Sequence, residues 1–110
     1  MVNASSPFGG QTRTRVLLAL RLLEESYPRE LARVLGVSLN GVQSAISGLE
    51  RDGLVASRAA GRTRLVRLNP RYFARQELQQ YLLKLAAPDR DLQARTATLR
   101  RRPRRTGKPA

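Results

Sequence analysis

The amino-acid sequence predicts a small α+β domain that is mostly α-helical, and three observations support this class. Two short helical patterns joined by a tight turn run from residue 28 to residue 53. Residues 54–68 then alternate small apolar and basic side chains about a central turn, which is typical of a β-hairpin. Apolar residues at helical spacing recur before and after these segments, at 11–26 and 70–85. The predicted order is three helices, a two-stranded hairpin and one further helix.

The first predicted helix, 11–26, is apolar around more of its circumference than a one-sided surface helix requires. Its large apolar residues are Val16, Leu17, Leu18, Leu20, Leu22 and Leu23. We expect so wide a surface either to pack against two neighbouring elements or to leave one side for a second protein chain.

The second and third predicted helices are separated by residues that end one helix and start the next. Pro28 suits a first helical position, where the missing N–H has no partner to lose. Gly36 stands where a helix ends in the left-handed conformation, and Ser38 is a good N-cap for the next helix, 38–52. The polar face of that helix carries Asn40, Gln43, Ser44, Ser47 and Arg51. This arrangement is the helix-turn-helix pattern.

The hairpin and the last helix follow directly. Gly61 marks the turn of the hairpin, and three arginines lie near its tip: Arg58, Arg62 and Arg64. Asn69 at the N-cap and Pro70 at the first position are expected to start the last helix. The whole order is that of a winged helix-turn-helix domain, with a three-helix core, a two-stranded β-wing and an additional C-terminal helix.

Composition divides the chain into three parts. Residues 1–10 are small, polar and glycine-rich, and we expect a flexible N-terminus. The predicted domain covers 11–87. Residues 88–110 form a basic segment with only two large apolar residues, Leu92 and Leu99. We expect this tail to be disordered, with 89–99 as a possible frayed helix.

The balance of charges points to a polyanionic partner. The chain has 21 Lys and Arg against 8 Asp and Glu, a formal net charge of +13. A charge of this size creates a long-range field that attracts nucleic acid or an anionic surface. No apolar run has the length of a membrane span and no signal-peptide core is seen, so a cytoplasmic, nucleoid-associated protein without membrane contact is expected.

The residue types that carry catalysis and metal binding are largely missing. The chain contains no cysteine and no histidine, which removes thiolate ligands, imidazole ligands and the commonest general base. The carboxylates have no spacing that forms an acid–base pair. We therefore expect a binding protein and not an enzyme, with no cofactor and no metal.

Four segments resemble the small bacterial winged-helix regulators of the ArsR and MarR types. They are RVLLALRLLEE, PRELARVLGVS, VQSAISGLERDGLV and GRTRLVRLN. The resemblance implies a DNA-binding transcriptional regulator that dimerises through its terminal helices. Because the ArsR-type metal sites use Cys, His and carboxylates, the lack of Cys and His implies a member without a metal-sensing site.

The predicted sites follow from these patterns. The predicted DNA contacts are Ser38, Asn40, Gln43, Ser44, Ser47, Arg51, Arg58, Arg62 and Arg64. Further candidates for phosphate contact are Thr12, Arg13, Arg15 and Arg29. The predicted dimer interface comprises Leu17, Leu18, Leu22, Tyr81, Leu82 and Leu85, unless this apolar side closes the core of the monomer.

The predicted function is sequence-specific binding of double-stranded DNA by a homodimeric transcriptional regulator, a repressor. Two other functions fit the same sequence. A winged helix also serves as a protein-interaction or antitoxin-like adaptor module. A non-specific nucleoid-associated DNA binder would depend mainly on the basic tail.

Overall fold

The computed structural model describes residues 6–100, which form five helices and three strands. In chain order these are α1 (Gln11–Leu23), β1 (Glu25–Ser26), α2 (Pro28–Leu35), α3 (Leu39–Arg51), β2 (Val55–Ala60), β3 (Thr63–Leu68), α4 (Arg75–Ala86) and α5 (Arg90–Arg100). Helices α1 to α3 followed by the β2–β3 hairpin and α4 reproduce the predicted order. The predicted winged helix-turn-helix fold is confirmed.

The wing has one strand more than the sequence predicted. The antiparallel sheet has the order β1–β3–β2, and β1 pairs with β3 through Glu25 opposite Arg67 and Ser26 opposite Val66. Helix α1 therefore ends at Leu23, before the predicted end at residue 26, because Glu24 takes a positive φ of 75° and the chain turns into the strand. The β2–β3 register runs from Val55 opposite Leu68 to Ala60 opposite Thr63.

The hydrophobic core surrounds α1. Each residue from Val16 to Leu20 is at most 1 % exposed, and α2, α3, α4 and α5 all contact this helix. The wide apolar surface of α1 is thus covered within one chain. This corrects the predicted dimer interface for Leu17, Leu18 and Leu82, because these side chains are buried in the core of the monomer and are not available to a second chain.

Two of the remaining predicted interface residues, Leu22 and Leu85, are partly buried against the same core, while Tyr81 on α4 is 38 % exposed. The ring of Tyr81 makes an edge contact with Phe8 at a centroid distance of 5.9 Å. Phe8 is itself partly buried, so the described part of the predicted flexible N-terminus, residues 6–10, packs on the domain. Residues 1–5 lie outside the described part of the chain.

The start of α4 differs from the prediction. Asn69 does not cap the helix: its Oδ1 accepts the N–H of Arg71 at 3.0 Å and its Nδ2 donates to the carbonyl of Gly53 at 2.9 Å. Residues 70–74 form turns, and α4 begins at Arg75. Asn69 therefore caps a local turn and joins it to the end of α3.

The segment after Pro88 is a fifth helix and not a disordered tail, at least as far as Arg100. Asp89 caps it, since its Oδ1 accepts the N–H of Leu92 at 3.1 Å. Leu92 is fully buried against the core, and Thr96 is 2 % exposed. The expectation of disorder is wrong for residues 90–100, and the alternative of a helix over 89–99 agrees with α5. One buried leucine and several side-chain hydrogen bonds hold a sequence that is poor in apolar residues. Residues 101–110 lie outside the described part.

Helix α5 supplies hydrogen-bond donors to the C-terminal ends of three other helices. Gln93 Nε2 donates to the carbonyls of Ala86 and Ala87 at 2.8 Å each, at the end of α4. Arg95 Nη1 donates to the carbonyl of Val34 in α2 at 2.9 Å, and Arg100 Nη1 donates to that of Leu22 in α1 at 2.6 Å. The last carbonyls of a helix have no partner within the helix, and a cation there also interacts favourably with the helix dipole.

These contacts predict that α5 is required for stability. The reference is a chain that ends at residue 100, because it keeps the contacts of α5 described above. A chain that ends at residue 88 should be less stable than the Leu92→Ala variant, which itself is expected to lose about 2–5 kcal/mol. Equal unfolding free energies for chains ending at 88 and 100 would contradict this account of α5.

Candidate nucleic-acid interface

The turn between α2 and α3 has the geometry that the sequence predicted. Gly36 ends α2 with φ 67° and ψ 33°, the left-handed conformation that glycine adopts at low cost. Ser38 caps α3 through its Oγ, which accepts the N–H of Gly41 at 3.0 Å. With Val42 and Ile46 buried on the inner side, α3 presents its polar face to solvent.

All nine residues predicted to contact DNA are exposed: Ser38, Asn40, Gln43, Ser44, Ser47, Arg51, Arg58, Arg62 and Arg64. Four of them line one groove between α3 and the wing, namely Gln43, Ser47, Arg62 and Arg64. Pro28 at the start of α2, Ile46 and Thr63 complete the groove. The other five lie outside its lining: Ser38 at the N-cap of α3, Asn40, Ser44 and Arg51 on α3, and Arg58 in β2.

Two of the nine side chains are engaged within the protein. The hydroxyl of Ser38 is used as the α3 cap. Arg64 forms an ion pair with Glu50: its Nη2 lies 2.9 Å from each carboxylate oxygen. Arg64 also donates to Ser57 Oγ, from Nη2 at 2.7 Å and from Nε at 3.2 Å. Arg64 therefore has partners within the protein, and its contact with DNA stays a prediction.

Ser57 connects the two charged partners, since its hydroxyl donates to Glu50 Oε2 at 2.6 Å while it accepts from Arg64. We call Glu50, Ser57 and Arg64 the Glu50 network. Sequence reasoning missed the roles of Glu50 and Ser57. The hairpin register could have indicated the contact between Ser57 and Arg64, because these residues lie on one face of the hairpin, two residues apart along the ladder.

The environment of Glu50 favours its charged form. Partial burial alone would raise the pKa of the Glu50 carboxyl, but the hydrogen bonds from Ser57 and Arg64 and the charge of Arg64 together hold the pKa below its ordinary value. The carboxylate is thus ionised, and it compensates the charge of Arg64.

Several other arginines are also engaged inside the domain, including two that the sequence offered as phosphate contacts. Arg15 donates to the carbonyl of Leu35 at the end of α2. Arg13 forms an ion pair with Asp52 at 3.4 Å and lies across Gly48 of α3, where an added Cβ would overlap its guanidinium. Gly48 is therefore a close-packing position, and the charges of these arginines are directed into the fold.

Within residues 6–100, by contrast, no hydrogen bond or ion pair involves the side chains of Arg51, Arg58 and Arg62. Arg62 occupies the tight turn at the tip of the wing beside Gly61, whose φ is 66°. Of these three arginines, Arg62 lines the groove, Arg51 lies in the last turn of α3, and Arg58 lies in β2 on the face of the hairpin opposite to Ser57 and Arg64. Their exposed side chains are available to phosphates.

The described residues contain no group of three or more His, Cys, Asp or Glu side chains arranged to hold a metal ion. Across the same range, every helix is too short or too polar to cross a bilayer.

The Glu50 network predicts a pH-dependent contribution to stability. Because the pKa of Glu50 is lower in the folded state than its ordinary value of 4.5, the folded chain binds fewer protons there. The contribution is present above about pH 4.5 and is lost as the pH falls through the folded-state pKa. The difference in unfolding free energy between wild type and Glu50→Gln, measured with urea, should shrink below that pH. We expect a smaller low-pH decrease in this free-energy difference when Arg64→Ala is compared with the Arg64→Ala, Glu50→Gln double variant. An equal decrease would contradict the role of Arg64.

Comparisons with known proteins agree with the fold. No protein-family model matches the chain, and no curated protein matches it. Among solved structures, a crystal structure of a MarR mutant from E. coli complexed with operator DNA is similar, with a TM-score of 0.58 and 22 % sequence identity. The similarity covers 84 % of this chain and 71 % of the MarR chain. The resemblance to MarR-type winged-helix proteins is confirmed at the level of the fold.

Proposed function

We propose that this protein binds double-stranded DNA sequence-specifically and acts as a transcriptional regulator. One observation carries the proposal: the exposed polar face of α3 and the arginine at the tip of the wing converge on one groove. In this arrangement α3 enters the major groove, and the wing follows the phosphate backbone or the adjacent minor groove.

The side chains on α3 have the chemistry for reading bases. Gln43 and Asn40 each carry a donor and an acceptor on one amide group, which can pair with the N6 and N7 edge of adenine. Ser44 and Ser47 are short and can bond to several bases. A good bidentate pair is worth about 1–3 kcal/mol of discrimination between bases, so one or two such contacts are enough to define a site.

The charge that supports affinity lies mainly outside this face. Of the 21 basic residues, five follow residue 100, so the described part of the chain has sixteen basic and eight acidic residues. Arg51, Arg58 and Arg62 are exposed arginines whose side chains have no hydrogen bond or ion pair in residues 6–100, and Arg62 lines the groove. Contacts from these side chains to phosphates position the protein on the duplex without reading its sequence.

We further propose that regulation is repression by occupancy. A winged helix bound to DNA excludes other proteins from the same segment, and this needs no additional activity. The MarR structure with the similar fold is bound to operator DNA, which supports this mode.

The test is selection of bound sequences from random duplexes in about 150 mM salt, where non-specific binding is weak. We expect enrichment of a defined site. Gln43→Ala and Ser47→Ala should relax base preference, whereas Arg62→Ala should weaken binding to every sequence and reduce the log–log salt slope by about 0.9. Gln80→Ala on the exposed side of α4 is the matched control.

Two outcomes would contradict the proposal in different ways. If no site is enriched and the alanine variants bind as the wild type does, the protein is better interpreted as a protein-interaction module than as a sequence-specific regulator. If a chain lacking residues 101–110 loses all DNA binding, the protein is a non-specific binder that depends on its tail.

A homodimer through α4 is the second part of the proposal. The exposed large apolar residues of the described chain all lie on α4 or just before it: Phe73 at 91 %, Tyr81 at 38 % and Leu83 at 46 % exposed. We propose that the outer side of α4, which carries Leu83, contacts a second chain. Two copies related by a two-fold axis can place their α3 helices about 34–36 Å apart, which is one turn of DNA.

Light scattering of the purified chain tests the dimer. A molecular mass of twice the 12.3 kDa of one chain is expected for the wild type and for Ala94→Glu, which adds the same charge at an exposed position of α5. Leu83→Glu should shift the protein to the mass of a monomer, because a charge would be buried without a partner. A monomeric wild type at the concentrations that bind DNA would rule out the dimer and leave the single-domain DNA contact intact.

A further inference from the structure

We propose that Glu50 and Arg64 position the wing relative to α3, so that Arg64 affects DNA binding through Glu50 and not by contacting a phosphate. This inference rests on the proposed function. It assigns Glu50, Ser57 and Arg64 as positioning residues of the DNA interface and leaves Arg58 and Arg62 as the contacting residues of the wing.

The first support is the position of the Glu50 network in the fold. Glu50 lies in the last turn of α3, Ser57 in β2 and Arg64 in β3, so the hydrogen bonds join the recognition helix to both strands of the wing. The chain itself joins α3 to β2 through only three residues, 52–54, which include Gly53 with φ 80°. This short connection holds the base of the wing close to α3.

The second support is the change in the sheet at this point. Strand β1 pairs only with Val66 and Arg67 of β3, so the sheet is three-stranded at the base of the wing. Residues 58–60 and 63–65 form the outer part, which is a two-stranded ribbon. Two-stranded ribbons twist more strongly and are only marginally stable alone. The Glu50 network sits where the ribbon begins, so it ties the wing to α3 at the point where pairing with β1 ends.

The third support is the electrostatic state of Arg64. Its guanidinium uses Nε and Nη2 for the carboxylate and the serine, and its charge is balanced by Glu50. If Arg64 moved to a phosphate, it would leave the Glu50 carboxylate without its cation beside the negative DNA backbone. Like charges at short distance repel, so the move gains little net attraction.

Salt dependence separates positioning from contact. The slope of log Kd against log salt concentration counts neutralised phosphates, at about 0.9 per contact. A positioning residue changes the affinity and leaves the slope unchanged, whereas a contacting residue changes both. Releasing a wing that is otherwise held in place should cost about a three- to tenfold loss of affinity, as for one immobilised side chain.

The experiment measures binding to the selected duplex, or to one fixed 20-base-pair duplex, across a salt series. For Glu50→Gln and Arg64→Ala we expect that three- to tenfold weakening with the wild-type slope, and the double variant should be no weaker than either single variant. Arg62→Ala should lower the slope, and Gln80→Ala should change nothing. Arg64→Lys keeps the charge but not the two-donor geometry, so it should weaken binding as Arg64→Ala does.

A contacting Arg64 gives the opposite result and overturns the proposal. In that case Glu50→Gln frees the guanidinium of Arg64 and preserves or tightens binding. Arg64→Ala then lowers the slope of log Kd against log salt concentration, whereas Arg64→Lys keeps the wild-type slope. Thermal unfolding followed by circular dichroism identifies any variant that fails to fold, and Glu50→Gln then decides the question, since it keeps the size of the side chain.

A second measurement needs no DNA. The chain has no cysteine, so spin labels can be placed at Thr63→Cys on the wing and Gln80→Cys on α4. We expect the distribution of label distances to broaden in Glu50→Gln but not in Arg62→Ala. An unchanged distribution would overturn the positioning role. If the wild type binds no DNA, the proposed function fails, and this measurement still decides whether the network holds the wing.

Discussion

The burial of the middle of α1 on all sides is the constraint on which the remaining structure depends. Residues Val16 to Leu20 are at most 1 % exposed, so every other helix must contribute an apolar face to cover them. Helix α3 contributes Val42, Ile46 and Leu49, and its polar side is left to face outward. The candidate DNA surface is therefore the part of α3 that the core does not use, and its orientation follows from packing.

The arginines serve two separate purposes. One group donates to carbonyls at helix ends or pairs with carboxylates, as Arg15, Arg95 and Arg100 do. These contacts satisfy groups that have no partner within their own helices. The other group, which includes Arg51, Arg58 and Arg62, stays exposed, and Arg62 lines the groove. The net charge of +13 therefore reflects two sets of arginines. One set is exposed and suited to a polyanion, and the other set forms hydrogen bonds that hold the helices of a small core together.

In the candidate interface, affinity, base specificity and the position of the wing depend on different residues. Short polar side chains on α3 are suited to reading bases, and unengaged arginines are suited to phosphates. The Glu50 network joins these two surfaces with hydrogen bonds of 2.6 to 3.2 Å. Because residues 52–54 connect α3 directly to the wing, a small change in angle at this junction produces a larger displacement at the tip of the wing.

The sequence by itself determined the elements whose signals are local. Pro28, Gly36 and Ser38 act on backbone groups within a few residues, so the helix-turn-helix, the hairpin turn and the outward polar face of α3 could be predicted from spacing alone. Only the tertiary structure decided β1, α5 and the partner of Arg64. Strand β1 has just two residues and no pattern of its own. The donors of α5 act over 61 and 78 residues, and Arg64 meets Glu50 only after the hairpin folds back on α3. Interactions between distant parts of the chain depend on how the elements pack, and no local pattern contains that information.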